Sequence, residues 1–479
     1  MLTTRQSDRA FGGISRRRAL AAGSAAALGG LGGPRPVSGA LASTPEPGKA
    51  KSVIVLYLLG GAPTQDMYDL KPEAPSGIRG EFKPVSTNVP GISICEHLPK
   101  TAKWMHRSAI VRSVTQDAGC HNTLASYTGF EQKLPDITRT EEHYPPSMGS
   151  VCEFLKEQRG EPGDRTPAYV YLPCYLGWGQ AINRPGPYAG FLGKRYDPLF
   201  TVCDPYVDNP PEKPYEAHVL RGTPQIPFSR LSTEISAGRL SARQQLLRQF
   251  NETGFDRVTS GSLVSYDKQS EQAWSILTSS AVRSAFDFDA EDPAVLDRYG
   301  RTLFGASALA ARKLVEAGVQ FINVTWDIYW QRLKLQFAGW DTHANNFILL
   351  RDYNLPYLDL TYHALMQDLE DRGLLDETLV VTMSDFGRTP KINGNAGRDH
   401  WTYCYSVMFS GAGIRGGTVC GASDPQAAFV QDHPVSTGDV CATIYRCLGI
   451  DPHFRVLDRF SRPFEIAHGG NPIMDILDS

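Results

Sequence analysis

Aspartate and histidine side chains cluster in three short segments of the last third of the chain. Residues 339–343 read GWDTH, residues 384–388 read SDFGR and residues 398–401 read RDHW. Each segment lies in a loop beyond a predicted strand, and open α/β sheets bind ligands beyond the carboxyl ends of their strands. The candidates for one shared site are Asp341, His343, Asp385, Asp399 and His400.

These residue types suit a metal ion. Asp341 and His343 point to the same side of an extended segment, so both could reach one ion. Carboxylate oxygens with imidazole nitrogens favour zinc or a similar divalent transition metal, and calcium or magnesium, which prefer oxygen ligands alone, are the alternatives. Asp399 and His400 are adjacent and diverge in an extended chain. We therefore expect one to bind the ion and the other to orient a histidine.

Each residue also has a structural interpretation. Asp341 could cap a helix beginning near residue 342, with His343 on the surface. Asp385 could accept hydrogen bonds from the turn that follows it, and Asp399 could form a local ion pair with Arg398. Taken singly, none of these motifs is specific, and only their joint placement favours a metal site.

A further histidine, His121, follows a predicted strand at residues 109–114. A residue in that position could be a nucleophile, a base or a metal ligand. An ordinary loop histidine is the alternative.

Buried strands are predicted to position these loops. Residues 52–59 (SVIVLYLL) form a continuous apolar run that ends at two glycines, which is typical of a central parallel strand. Residues 319–326 and 378–383 are similar, and residues 169–172 and 406–409 are shorter candidates.

Helices are predicted between the strands. One covers residues 301–316, and a second begins with Asn354 as its N-cap and ends at Gly373. Ser436 and Asp439 form a capping pair at the start of a third. Helices that alternate with buried strands predict an α/β fold with a doubly wound, mostly parallel sheet flanked by helices.

The domain organisation follows from composition. Residues 51–479 are expected to form a single α/β domain, with loop and helical insertions at about residues 130–225, rich in proline, glycine and aromatic residues, and 229–300, which is polar. Residues 43–50 (STPEPGKA) resemble a linker.

Residues 1–42 have the three parts of a twin-arginine signal peptide. Arginines occupy positions 16–18, an apolar run covers residues 19–31, and residues 40–42 (ALA) resemble a cleavage site. The expected partner is the twin-arginine export machinery, and the expected location is periplasmic or secreted. A disordered Ala/Gly leader is the alternative.

The composition argues against two kinds of partner. The formal net charge is −3 and no basic run follows the signal, so nucleic acid is not an expected partner. No later segment has the roughly 18 consecutive apolar residues of a membrane span, so none is expected after signal removal. The chain has nine cysteines and no CxxC motif, and we expect mostly free thiols.

The motifs together resemble a bacterial family catalogued as domain of unknown function 1501. The resemblance rests on residues 60–66 (GGAPTQD), 79–82 (RGEF), 96–99 (EHLP), 339–343 (GWDTH), 385–390 (DFGRTP) and 397–401 (GRDHW). It covers nearly all of the chain that follows the signal.

That family is in turn distantly similar to the alkaline phosphatase and sulfatase superfamily. The resemblance implies an alkaline-phosphatase-like sheet with one or two metal ions held by Asp and His at the strand ends, and a nucleophile that attacks phosphate or sulfate esters. Residues 123–129 resemble the helix that follows the sulfatase nucleophile. Asp341 and His343 resemble a metal-binding pair, Asp385 the Asp of a late Asp-His pair, and His400 a final histidine ligand.

Three departures from that superfamily stand out. No carboxylate ends the first strand, and Asp66 is the nearest one, so we include it as a candidate ligand. Phe386 stands where the late pair would have its histidine. The sulfatase nucleophile signature is absent around residues 119–123, although Cys120 lies near the expected position.

Two functions are consistent with these residues. The first is a metal-dependent hydrolase of small-molecule or polysaccharide phosphate or sulfate esters, with Asp341, His343, Asp385, His400 and Asp66 as candidate ligands. Catalytic candidates are His121, Arg388, which would neutralise oxyanion charge, and Asp399 behind the metal ligands. The second is a catalytically degenerate carbohydrate- or surface-binding protein that uses the aromatic residues of the first insertion.

Overall fold

The computed structural model describes residues 48–159, 166–227, 279–329, 331–335 and 339–478. The twin-arginine segment and most of the linker lie outside these residues, as does most of the second insertion. The export signal therefore stays a prediction. Within the described residues, no helix is both long and apolar enough to cross a bilayer.

An eight-stranded sheet forms the centre of the protein. Its strands, numbered along the chain, are β1 (Ser52–Leu58), β2 (Ser108–Val114), β3 (Tyr169–Leu172), β4 (Leu199–Phe200), β5 (Phe321–Trp326), β6 (Thr378–Ser384), β7 (Tyr405–Gly411) and β8 (Thr418–Cys420). Their order across the sheet is β8-β2-β7-β6-β1-β5-β3-β4. Within this sheet β7 runs antiparallel to both neighbours, and the other pairings are parallel.

The first strand lies at the centre because it has no polar face. All seven of its residues are buried, and it pairs in parallel with β5 on one side and β6 on the other. Ile54 and Leu56 pack into one apolar core, and Val55 and Tyr57 pack into a second core on the opposite face. A sheet with a core on each face must be covered on both sides.

Five helices of the described chain cover the sheet or begin near the site. They are α1 (Thr123–Thr128), α2 (Met148–Arg159), α3 (Leu303–Glu316), α4 (Leu355–Asp371) and α5 (Thr437–Cys447). Leu309 of α3 and Leu365 of α4 belong to the core that contains Ile54. Val151 of α2 and Ile444 of α5 belong to the other core. The predicted doubly wound, mostly parallel α/β fold is confirmed.

Shorter elements complete the described chain. The remaining α-helices are Ser76–Arg79, Ser280–Ser284, Pro293–Arg298 and Asn346–Leu349. Short 3-10 helices cover Thr64–Asp66, Thr101–Arg107, Trp178–Gln180, Gly190–Leu192, Lys194–Tyr196, Leu375–Glu377 and Met474–Ile476. Two-stranded ribbons pair Pro84–Ser86 with Ser93–Cys95, Val202–Cys203 with Pro224–Gln225, Tyr206–Val207 with Leu220–Arg221, Gly387–Arg388 with His400–Trp401, Ala422–Ser423 with Val430–Asp432, and Arg455–Leu457 with Pro463–Glu465.

Two predicted helix starts had different outcomes. Ser436 accepts a hydrogen bond from the amide of Asp439, whose side chain accepts from the amide of Ser436, so the predicted capping pair of α5 is confirmed. The prediction that Asn354 is an N-cap is wrong. Asn354 has helical dihedral angles and ends a π-helical turn (Leu350–Asn354), and its side chain donates to the carbonyl of Gly339 at 2.9 Å. The helical path therefore begins upstream of Asn354.

Candidate metal centre at the carboxyl edge of the sheet

The candidate site lies where parallel strands end. Asp385 directly follows β6, Gly60 and Gly61 follow β1 after one residue, and His121 lies between β2 and α1. Asp341 lies in the connection that follows β5. Because these strands run in one direction, their following loops meet at one edge of the sheet.

Asp341 is the centre of a histidine cluster. Its Oδ1 lies 3.1 Å from Nε2 of His343 and 3.1 Å from Nε2 of His400. Its Oδ2 lies 3.7 Å from Nε2 of His121. Arg388 also donates a hydrogen bond to Oδ1. One carboxylate therefore faces three imidazole nitrogens and a guanidinium.

A two-stranded ribbon carries His400, which lies against His343. Arg388 and His400 are directly opposite each other in the antiparallel pair Gly387–Arg388 and His400–Trp401. Nε2 of His400 lies 2.9 Å from Nε2 of His343. Nδ1 of His343 lies 2.8 Å from Oδ1 of Asp399, which also accepts a hydrogen bond from Asn393 at 3.1 Å. Asp399 thus orients His343, the arrangement expected of one member of the Asp399–His400 pair.

His121 completes the cluster from the opposite side. Its backbone has a positive φ of 55°, and its Nδ1 lies 3.3 Å from Oδ2 of Asp385. The ring packs edge-on against His400 and Phe386, with centroids 4.5 and 4.9 Å away. His121 Nε2 is therefore turned towards Asp341.

Asp385 is fixed by the first loop of the sheet. Its Oδ1 accepts hydrogen bonds from the amides of Gly60 at 2.9 Å and Gly61 at 2.8 Å. Gly60 has a φ of +119°, and a Cβ there would lie 2.7 Å from the amide nitrogen of Asp341. Only glycine permits this close approach. Asp385 is 1% exposed and orients His121.

Arg388 is completely buried and occupied by protein groups. Its guanidinium donates to the carbonyls of Gly61 at 2.7 Å, Arg398 at 3.0 Å and Trp340 at 3.2 Å, and to the carbonyl of Gly60. It also donates to Asp341. The expected oxyanion-neutralising role therefore does not fit its geometry. Arg388 holds the β1 loop and Asp341 in place.

Asp66 is not part of the histidine cluster. Both of its oxygens accept hydrogen bonds from the guanidinium of Arg398 at 2.7 Å, and Oδ2 also accepts from Asn346 at 2.9 Å. The side chains of this ion pair are 1% and 0% exposed. A carboxylate engaged in this way has a structural role, and we leave Asp66 out of the proposed metal ligands.

The cluster keeps Asp341 and Asp385 ionised. Burial alone would raise the pKa of Asp341, but hydrogen bonds from His121, His343 and His400 and the charge of Arg388 hold it well below its usual range. Burial also acts to raise the pKa of Asp385, but hydrogen bonds from His121 and from the amide of Gly60 outweigh it, and the net shift is downward. Two buried acceptors therefore carry negative charge beside the histidines.

The surroundings shift the pKa values of the three histidines in different directions. Burial lowers the pKa of His121, but hydrogen bonds to Asp341 and Asp385 outweigh it, and the net shift is upward. The hydrogen bond to Asp341 raises the pKa of His343. Burial lowers the pKa of His400, and the charges of His121 and Arg388 add to that effect.

The donor set fits a divalent metal. In tetrahedral zinc sites with bonds of about 2.0 Å, ligand atoms lie about 3.3 Å apart. Asp341 Oδ1, His343 Nε2 and His400 Nε2 are separated by 2.9–3.1 Å. Ligand atoms of His121, Asp341 and His400 also lie within 4.8 Å of one another. The Asp399–His343 contact matches the carboxylate support usual for metal-binding histidines.

One residue of the site was missed from the sequence. Arg184 is 4% exposed and donates from Nη1 to the backbone carbonyl of His121 at 3.2 Å. It lies in the irregular first insertion, where no periodicity or motif indicates its position. Its positive charge also lowers the pKa of Asp385.

The sequence comparison identifies the family. Residues 50–477 match the family described as "Protein of unknown function (DUF1501)". The chain belongs to this family. No curated protein sequence matches the chain.

Similar solved structures include a sulfatase and a phosphatase. PsFucS1 sulfatase from Pseudoalteromonas sp. is 12% identical, with a TM-score of 0.38 over 83% of this chain and 68% of that chain. A variant of alkaline phosphatase PafA is 9% identical, with a TM-score of 0.40 over 90% of this chain and 99% of that chain. The phosphonate monoester hydrolase SpPMH from Silicibacter pomeroyi is 12% identical, with a TM-score of 0.33 over 89% and 76% of the two chains. At these identities and TM-scores the likeness does not extend to activity.

The buried ion pair yields a stability prediction. Asp66→Asn should lower the free energy of unfolding by on the order of 3–5 kcal/mol, because it leaves the charge of Arg398 buried without a carboxylate. Chemical denaturation measures this loss, and metal content should be unchanged. Asp376→Asn, at an exposed ion pair with Arg107, is the matched control and should have little effect. Loss of metal in a folded Asp66→Asn protein would return Asp66 to the ligand set.

Proposed function

We propose that this protein is an exported, metal-dependent hydrolase of phosphate or sulfate esters. The observation that carries the proposal is the convergence of Asp341, His343 and His400 within 2.9–3.1 Å of one another at the carboxyl edge of the sheet. The distant similarity of the family to the alkaline phosphatase and sulfatase superfamily, which implies ester hydrolysis with metal ions bound by Asp and His, supports it.

Asp341, His343 and His400 would hold the metal. A bound divalent metal would act as a Lewis acid towards an ester oxygen. Zinc or a similar transition metal suits one carboxylate and two imidazoles, because oxygen-only sites are the preference of calcium and magnesium. Asp399 holds His343 with Nε2 facing the site, and Arg388 holds Asp341.

His121 would be the proton-transfer group. Asp385 contacts its Nδ1, so its Nε2, which lies 3.7 Å from Oδ2 of Asp341, is the nitrogen that would face a substrate or water. The amides of Gly60 and Gly61 fix Asp385, and Arg184 holds the backbone of His121. Rigid support of this kind keeps a catalytic base in one orientation.

The site is open enough for an ester at the surface. The side chains of His343 and His400 are 32% and 26% exposed, whereas Asp385 is fully buried. A substrate would therefore approach from the side of these two histidines. This access suits a small-molecule ester or an ester group on a polysaccharide.

A non-catalytic role is the second candidate. By the family resemblance Phe386 occupies the place of a late histidine, and its fully buried ring packs against both His121 and His400. A protein that has lost one ligand could bind carbohydrate without turnover. Two of the aromatic residues of the first insertion are unavailable to a sugar, however, because Tyr169 and Tyr171 lie in the core of the sheet. Tyr175, Trp178 and Tyr188 are partly exposed and remain candidates.

Metal content tests the ligand assignment. Purified wild-type protein should retain about one divalent ion per chain, and Asp341→Asn, His343→Ala and His400→Ala should each lose it. Asp399→Asn should weaken metal affinity by about 10–100-fold, because His343 loses its orienting carboxylate. Elemental analysis and metal titration give both values.

His363→Ala is the control for this series. His363 lies on α4 and contacts Trp104 through Nδ1 at 2.8 Å, away from the cluster. Metal content should be that of the wild type. A wild-type protein that binds no divalent metal would refute the mechanism.

Turnover of aryl phosphate and aryl sulfate esters separates the two functions. We expect metal-dependent release of the aryl alcohol by the wild-type protein, and removal of metal by chelation should abolish it. His121→Ala should keep the metal but lower kcat by about 10²–10⁴-fold, the usual contribution of a general acid or base. Absence of turnover by metal-loaded protein, together with tight glycan binding, would favour the non-catalytic role.

Export is tested at the arginine run. Replacement of Arg16, Arg17 and Arg18 by lysine keeps the charge but removes the twin arginines. The precursor should then accumulate in the cytoplasm, whereas Arg9→Lys should still allow export. Cell fractionation and immunoblotting distinguish the two locations. Processed protein outside the cytoplasm in the triple variant would contradict the twin-arginine route.

A further inference from the structure

Two cysteines from separate segments meet beyond the ends of β3 and β4. Sγ of Cys174 lies 2.7 Å from Sγ of Cys203. Unbonded heavy atoms pack at roughly 3.5–4.0 Å, so these sulfurs are closer than two separate thiols would be. One residue separates Cys174 from the end of β3, and two residues separate Cys203 from the end of β4.

The pair is exceptional among the cysteines. All nine lie in the described residues and are present as free thiols, and this is the only pair with sulfurs in contact. The ends of the intervening segment are held together independently of the sulfurs. Val170 pairs with Leu199 across β3 and β4, and the hydroxyl of Thr201 donates to the carbonyl of Pro173 at 2.7 Å. The two thiols are therefore brought together by the fold.

We propose that Cys174 and Cys203 form a disulfide bond when the folded protein meets a disulfide oxidant. Cys203 is the more exposed of the two, so its thiolate attacks one sulfur of the oxidant and releases the other as a thiol. The thiolate of Cys174 then attacks Cys203 in the mixed disulfide and releases the second oxidant thiol. In total, two protein thiols become one disulfide, and one oxidant disulfide becomes two thiols.

This bond would close the base of a segment that supports the site. Within residues 174–203, Arg184 holds the carbonyl of His121. The amides of Gly177 and Gly179 donate to the buried carboxylate of Asp327, at the end of β5, at 3.2 and 3.4 Å. A disulfide between Cys174 and Cys203 restricts the unfolded chain and keeps this segment against the sheet. The inference is independent of the ester chemistry.

Thiol mapping of the full chain tests the bond directly. Purified protein is incubated with oxidised glutathione, unfolded, alkylated without reductant and digested. We expect seven of the nine cysteines to be alkylated and one cross-linked peptide pair to contain Cys174 and Cys203. Alkylation of all nine, or a cross-link between other cysteines, would overturn the proposal. So would release of the pair by a chelator alone, since that would indicate a metal thiolate.

Thermal stability provides a second readout. Reduction should lower the Tm of oxidised wild-type protein by about 4 °C, from the loop-closure entropy of a segment of this length spread over a chain of this size. The Tm of Cys203→Ala should equal that of the reduced wild-type protein and should not change when reductant is added. Cys174→Ala should behave in the same way if it folds. Cys447→Ala, at a similarly buried thiol, should keep the full response. A response to reductant in Cys203→Ala would contradict the assignment.

Discussion

The negative charge of Asp341 determines how the site is arranged. A carboxylate that is only 14% exposed requires strong partners, and here they are Arg388 and three imidazoles. Arg388 donates at the same time to the carbonyls of Gly60 and Gly61. One guanidinium therefore joins the loop after β1, the loop that carries Asp341 and the ribbon that carries His400. Removal of Arg388 would release all three, so it controls the site through position and without contact with a substrate.

Two histidines of the cluster are each oriented by a second carboxylate. Asp399 contacts Nδ1 of His343, and Asp385 contacts Nδ1 of His121. Each of these carboxylates also accepts hydrogen bonds from amide groups. The two supports differ in exposure, because Asp385 is buried and Asp399 is 54% exposed. The buried support belongs to the group that we assign to proton transfer. The exposed support belongs to His343, which we propose as a metal ligand and whose orientation a bound metal would reinforce.

The fold was readable from the sequence because its strands are buried on both faces. Residues 52–59 have no polar alternation, which left a central parallel strand as the natural interpretation. The grouping of Asp341, His343, Asp385 and His400 followed from strand-end placement alone. The Asp66–Arg398 pair was not predictable, since it joins residues 332 positions apart and neither has a local signal. Arg184 was missed for a similar reason, because it lies in a segment without periodicity.

Phe386 forms an apolar wall of the histidine cluster. Its ring packs edge-on against both His121 and His400, at interplanar angles of 84° and 73°. An aromatic ring in this position offers no ligand, and it covers one side of the cluster with apolar surface. The ring is fully buried, and a low-dielectric surface beside a charged group strengthens its electrostatic contacts, here those of Asp341. In the function that we propose, Asp341, His343 and His400 would hold one ion on the side of the cluster that Phe386 does not cover.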